Sequence, residues 1–358
     1  MTARRWRSLL LATLALATVA WLALRTPPGA ESDPHLLRRE FMLMGTLATV
    51  SLDLDERMPA TRAEAALDDL QQFLSAFAQR WSMRDGELAR LNQQLAGGNA
   101  ITVPDDMQTL FAEAQRAQTQ SAGRFDVRIG ALVKLWGFDD LTRLRSAPPP
   151  QADIEELTAL LHSAAALNDR LYGPARVQLD FGAIAKGYAC DLALARLRSA
   201  GFGNALVNLG GNLRASGHHG LRPWQIGIRH PRADAPDNAH GSLLATLTLQ
   251  DGEAVMTSGD YERYFEDHGR RYHHLLDPAT GEPAQGLISV SVVHPQGAWA
   301  DAASTALFVA GPAHWRDTAL AMGITQALVV DAQGRILATP ALAPRLHLAD
   351  GLQLHDTP

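Results

Sequence analysis

The sequence predicts an α+β fold, on two observations. Segments with strand and helix patterns are interspersed without the regular strand–helix–strand period of a doubly wound sheet. Hydrophobic residues make up 46% of the 358-residue chain and charged residues 20%, which suits a substantial core under an ordinary solvated surface. The length allows roughly two domains or one large one. No internal repeat or low-complexity tract divides it.

The N-terminus comes first in chain order. Arg4, Arg5 and Arg7 precede an uncharged run from Ser8 to Leu24. As a helix that run is about 26 Å long, slightly short of a roughly 30 Å hydrocarbon core. The pattern predicts a signal peptide or signal-anchor helix over 1–25. More arginines precede the run than follow it, so the basic end stays in the cytoplasm and the remainder is exported. The expected location is the periplasmic side of a bacterial inner membrane, anchored or free. A linker is expected over 26–38, a folded domain over 39–345 and a C-terminal tail over 346–358.

Within the domain, Met42–Leu54 has strand character around Val50 and Leu52. Helical spacing of apolar residues covers Ala60–Gln79 and Asp105–Ser121, the second opened by Pro104 with Asp105 and Asp106. Ser146–Pro150 reads as a surface loop and Ile154–His162 as a helix. Val177–Leu179 reads as a short strand leading into a helix over Ile184–Arg198, which Gly201 stops. Further strands are expected at Val207–Leu209, Trp224–Ile228, Leu243–Leu249, Leu287–Val293 and Ala327–Val330. Helices are expected at Asp301–Ala310 and Trp315–Ala321.

Charge and cysteine usage exclude some functions. A net charge of −6 argues against nucleic-acid binding, which needs a basic surplus. The single cysteine, Cys190, permits neither an intramolecular disulfide nor a thiolate metal cage. His218, His219 and His230 lack zinc spacing.

Three segments carry chemistry. His274 precedes a tight Asp277-Pro278-Ala279-Thr280-Gly281 turn, and its near-neutral pKa suits a general base, although a packed strand histidine reads the same way. Asp301, Ser304 and Thr305 stand at i, i+3 and i+4 on one helix face and offer hard oxygen ligands for Mg²⁺; Asp301 could equally cap a helix. Leu179 to Tyr188 runs through small residues into a helix start, where free amides and Lys186 would meet an anion and Asp180 would accept hydrogen bonds. An ordinary strand–turn–helix with a solvated lysine fits this last segment as well. A general base beside a hard-cation site is what a phosphoryl transfer needs, and the first two segments together point to an enzyme.

In this order the segments resemble the ApbE family of FAD:protein FMN transferases. The resemblance runs through Met44-Gly45-Thr46, Gly123-x-Phe125-Asp126, Leu135-Trp136-Gly137-Phe138 and Asp180-Phe181-Gly182-Ala183-Ile184-Ala185-Lys186-Gly187. It continues through Val207-Asn208-Leu209-Gly210-Gly211, Thr257-Ser258-Gly259-Asp260-Tyr261, His274 to Gly281 and Ala300 to Thr305, covering about residues 41 to 338. It implies ApbE-like, T-fold-like mixed sheets with packed helices. It also implies an enzyme that takes FAD as substrate with Mg²⁺ and moves FMN to a threonine hydroxyl of an acceptor flavoprotein, releasing AMP. By the same resemblance FAD contacts fall at Met44, Ser82, Arg124, Phe125, Asp126, Asp180, Lys186 and Leu275. Metal ligands fall at Ala183 (its carbonyl), Asp301, and Ser304 or Thr305, and the catalytic residue is His274.

Three departures stand out. Gly182-Ala183-Ile184-Ala185-Lys186 replaces the family's usual Gly-Gly-Ile-Ala-Lys. Ser82, beside Trp81, stands where an aromatic is expected. No cysteine near the signal segment provides the lipid anchor that many members carry. Two competing readings are a metal-dependent FAD pyrophosphatase giving FMN and AMP, and an exported flavin-binding protein without turnover.

Overall fold

The computed structural model describes residues 35–55, 58–164, 170–171, 176–234 and 241–355. The expected signal or anchor helix over 1–25, most of the linker and residues 356–358 of the expected tail lie outside the described residues. Among the described residues no helix is long and apolar enough to cross a membrane.

The frame is an eight-stranded antiparallel sheet whose strands follow one another in chain order: β1 (Leu36–Leu43), β2 (Thr46–Asp53), β3 (Ala205–Leu209), β4 (Asn212–Ser216), β5 (Ala254–Gly259), β6 (Leu287–His294), β7 (Ala327–Asp331) and β8 (Ile336–Ala338). Alternation sends one set of side chains to each face. Ala48, Val50, Leu52, Val207, Val290, Val292 and Val329 join the main core. That core lies under α1 (Ala60–Arg80), α3 (Gln108–Gln120), α6 (Ala185–Ser199) and α7 (Gly297–Ala321), with α2 (Glu87–Ala96) at its edge. Val255, Val293, Leu328 and Val330 face the other way. They pack against Ile226, Ile228, Leu244 and Leu247 of a three-stranded sheet formed by Gln225–Arg229, Leu243–Thr248 and Leu346–Leu348. A third cluster unites Trp136, Phe138, Phe265 and Leu276 with α4 (Gly130–Leu135) and α5 (Gln151–Ser163), beneath the hairpin Tyr264–Asp267/Arg270–His273.

The α+β class holds, with local differences. The expected single strand over Met42–Leu54 is a hairpin, because Met44 and Gly45 both take positive φ (49° and 75°), the twist a two-residue turn needs. Its first strand begins at Leu36, inside the expected linker. Val177–Leu179 makes no ladder, only a single parallel bridge from Gln178 to Ile129. Leu346–Leu348, at the start of the expected tail, is an edge strand. The two C-terminal helices form α7, which begins at Gly297 and breaks at Gly311 (φ 70°, ψ −179°) before Pro312.

Candidate active site

Two glycines set how closely the starts of α6 and α7 approach. A Cβ on Gly187 would sit 2.2 Å from the Gly297 carbonyl oxygen, and one on Gly297 would sit 2.6 Å from that of Gly187. Only hydrogen fits on either side of this crossing. Asp191, from the middle of α6, caps α7: its carboxylate accepts from the Gly297 and Ala298 amides at 2.8 and 3.0 Å and from Arg214 at 2.5 Å. The contact brings Asp301, one turn into α7, against the start of α6, where it accepts from the Gly187 amide at 2.8 Å. Asp301 is therefore no cap; Gln296 holds that position. Its side chain is buried, and burial pushes its pKa up, while Lys186 and the Gly187 amide pull the other way. A buried carboxylate beside a lysine and a helix N-terminus is poised to stay ionised when a cation or more hydrogen bonds arrive.

His274 reaches the same place from the hairpin. Its Nδ1 lies 3.3 Å from the Arg263 carbonyl oxygen, which can only accept, so Nδ1 carries the proton and Nε2 is the basic nitrogen. The ring is enclosed by protein yet lines the cavity, and burial, then the charges of Arg263, His273 and Lys186, hold its pKa well below the usual histidine range. It is neutral at neutral pH. The neighbouring His273 points into the core instead, with Nε2 2.8 Å from the Ala284 carbonyl oxygen and Nδ1 accepting from the Leu275 amide at 3.3 Å. The Asp-Pro-Ala-Thr-Gly turn closes as expected: Asp277 accepts from the Ala279 amide through its side chain and from the Gly281 amide through its carbonyl, at 2.9 and 2.8 Å. Trp136 pins the turn by donating to the Gly281 carbonyl at 2.8 Å.

One cavity gathers most of the residues singled out in the sequence: Met44, Arg124, Phe125, Asp126, Asp180, Ala183, Lys186, His274, Leu275, Asp301 and Thr305. Asp126 is committed to Arg128 (2.6 Å) and Gln118 (2.8 Å), so its carboxylate braces the wall of the site. Asp180 accepts from the Gly182 amide at 2.7 Å and shapes the loop before α6.

Two candidates stand apart. Ser82 does not line the cavity; its hydroxyl donates to Asp85 at 2.6 Å, and Trp81 beside it packs on Phe181 at 4.7 Å between centroids. Ser304 is fully buried behind the wall, donating to the Asp301 carbonyl at 2.9 Å, and Thr305 is the hydroxyl that reaches the cavity. Arg263 and Glu262 also line the cavity, and no motif marks them, since lone charged residues beside a strand usually face water. Thr257 and Ser258 line it too, from a segment recognised only as part of a pattern.

The sequence profile of the ApbE family matches residues 44–329. A Rhodobacter capsulatus protein named FAD:protein FMN transferase is 36% identical over 322 residues, which is 87% of this chain and 58% of that relative's length. A Treponema pallidum (strain Nichols) protein of the same name is 34% identical over 340 residues, 87% of this chain and 89% of the relative. The solved apo form of the Pseudomonas stutzeri flavinyl transferase ApbE aligns with a TM-score of 0.73 at 32% identity, over 87% of this chain and 96% of that one. The ApbE protein of Thermotoga maritima does so with a TM-score of 0.73 at 33% identity, over 86% and 97%. The α+β arrangement read from the sequence is the one these structures share.

Proposed function

This chain belongs to the ApbE family, and from that premise we propose that it is a transferase moving FMN from FAD to a threonine hydroxyl of an acceptor flavoprotein, with Mg²⁺ as cofactor. The observation that carries this reading is the convergence of Lys186, His274, Asp301 and Thr305 on one cavity from three separate parts of the chain. A passive flavin carrier needs a fitted pocket but neither a neutral imidazole nor a buried carboxylate beside a lysine.

In the proposed reaction the threonine oxygen bonds to the FMN phosphorus while the bridging P–O bond of the diphosphate breaks. AMP leaves with that electron pair on its phosphate oxygen. The hydroxyl proton passes to His274 Nε2, a transfer typically worth about 10²- to 10⁴-fold in rate. Lys186 offsets negative charge on the diphosphate, and Asp126, tied to Arg128, keeps the cavity wall in place.

The donor set fits a hard cation shared with the substrate. Among the described residues no three His, Cys, Asp or Glu side chains group to hold a metal alone. Where α6 and α7 meet, the cavity instead brings together the carboxylate of Asp301, the hydroxyl of Thr305 and the main chain of Ala183, which would hold Mg²⁺ together with phosphate oxygens. When bound, that ion supplies neutralisation of charge on the reacting phosphates. On the arginine-flanked run Ser8–Leu24 the proposal extends to an enzyme exported to the periplasmic side of the inner membrane.

The test is co-expression with a flavoprotein acceptor carrying a threonine site, followed by in-gel flavin fluorescence and mass spectrometry. A fluorescent acceptor that vanishes when its threonine is changed to valine supports transfer. AMP release with an unlabelled acceptor would mean that water is the nucleophile and would overturn it.

A further inference from the structure

We propose that Arg263 is a positioning residue for His274: its main-chain carbonyl holds the imidazole, and its guanidinium ties that carbonyl to the Trp136–Phe138 segment. The inference rests on His274 being the base. In the hairpin, Tyr264 pairs with His273, so the next pair outward sets Arg263 opposite His274. The Arg263 carbonyl oxygen lies 3.1 Å from the His274 amide and 3.3 Å from its Nδ1, and one acceptor thereby fixes both the backbone and the ring. Beyond the last strand pair, such a carbonyl is free to swing unless something holds it.

The side chain supplies that hold. Arg263 Nη1 donates to the Phe138 carbonyl at 3.0 Å, and the Phe138 ring meets the His274 ring edge-on at 6.5 Å. The three residues close a triangle in which each fixes the next. Trp136 and Phe138 belong to the satellite core, so the triangle is anchored in packed structure. An arginine needed only for solubility would extend into water, whereas this one is half-buried and lines the cavity. Burial lowers its pKa while Asp180 and Glu262 oppose that, and it remains a cation. The cationic groups acting on His274 are Arg263 and Lys186, with His273 behind it, and all three disfavour its protonation; the carboxylates of Asp126, Asp180, Glu262 and Asp301 line the same cavity.

The experiment compares the full chain with Arg263→Gln, Arg263→Lys and His274→Ala. Steady-state transfer to the acceptor gives kcat and KM for FAD, and imidazole ¹⁵N NMR of the protein without FAD gives the tautomer and titration midpoint of His274. For Arg263→Gln the expected result is a kcat lower by about 10- to 100-fold with KM for FAD unchanged, as a misplaced base costs rate and not binding. The Nδ1–H tautomer should lose its dominance and the midpoint should move up toward the ordinary value. Arg263→Lys, which keeps the charge but not the fork, should restore the midpoint and part of kcat. A wild-type tautomer ratio in Arg263→Gln, or a loss confined to KM, overturns the inference. Full transfer by His274→Ala would instead remove the base itself, while the NMR arm would still report whether Arg263 orients the ring.

Discussion

At the scale of single residues, protonation and backbone strain decide what the site can do. In the proposed reaction His274 acts as a base only while neutral. A pKa held well below the ordinary 6.5 keeps the proton-accepting form in place as pH falls through that value, so activity is lost only at distinctly more acidic pH. The acid limb of the kcat profile should therefore lie well below 6.5; a limb at or above it would contradict the burial argument. His274→Ala should lower transfer by about 10²- to 10⁴-fold with FAD binding retained, measured by fluorescence titration beside the transfer assay. Met44 presents a different balance. It takes φ 49° at the hairpin tip while lining the cavity, a conformation that costs a side-chain-bearing residue roughly 1 kcal/mol. Met44→Gly should thus raise stability by up to about 1 kcal/mol in urea unfolding yet weaken FAD binding. Unchanged affinity would mean that the strain serves the turn alone.

Between elements, the governing contact is the crossing of α6 and α7. Gly187→Ala would drive a methyl into the Gly297 carbonyl at 2.2 Å, and that oxygen belongs to a backbone fixed by the Asp191 cap. The helices must separate, at a cost of about 1–3 kcal/mol, and the separation pulls the start of α6 away from Asp301. Gly203→Ala, which meets nothing within 4 Å, is the control and should leave both stability and transfer near wild type. Equal behaviour of the two variants would show that the crossing has slack. This contact also marks how far the sequence could be read. The small-residue run from Gly182 to Gly187 and the spacing of Asp301 with Thr305 were legible, because close approach and helix faces leave local patterns. That the two helices meet through Gly187 and Gly297 was not, since nothing in either segment names its partner. Ser82 misled for the opposite reason: its place in the family pattern was clear, but its hydroxyl turns to Asp85. Arg263 escaped notice because the carbonyl that matters carries no side-chain signature, and α2, α4 and β5 escaped because short or mixed-polarity segments show too few periods.

Across the whole molecule, the cavity is lined by residues from Met44 to Thr305, drawn from the hairpin tip of the large sheet, the loop before α6, the start of α7 and the satellite cluster around Trp136. No local segment contains the site, so a ligand that touches all of these parts stabilises the folded chain as a whole. Binding to the native state alone contributes about 2.7 kcal/mol at a ligand concentration a hundredfold above Kd. FAD should therefore raise the thermal unfolding midpoint by several degrees. If the metal is shared between Asp301 and the diphosphate, part of that rise must depend on both ligands together: FAD with Mg²⁺ should exceed FAD with a chelator, and Mg²⁺ alone should do little. Asp301→Asn isolates the charge, because an amide oxygen can still accept from the Gly187 amide and the helix crossing is kept. That variant should retain the shift given by FAD alone and lose the increment from Mg²⁺. An FAD shift of the same size with chelator and with Mg²⁺ in the wild-type protein would show that the cavity binds the dinucleotide without a metal, and would leave the electrostatic part of the transfer to Lys186.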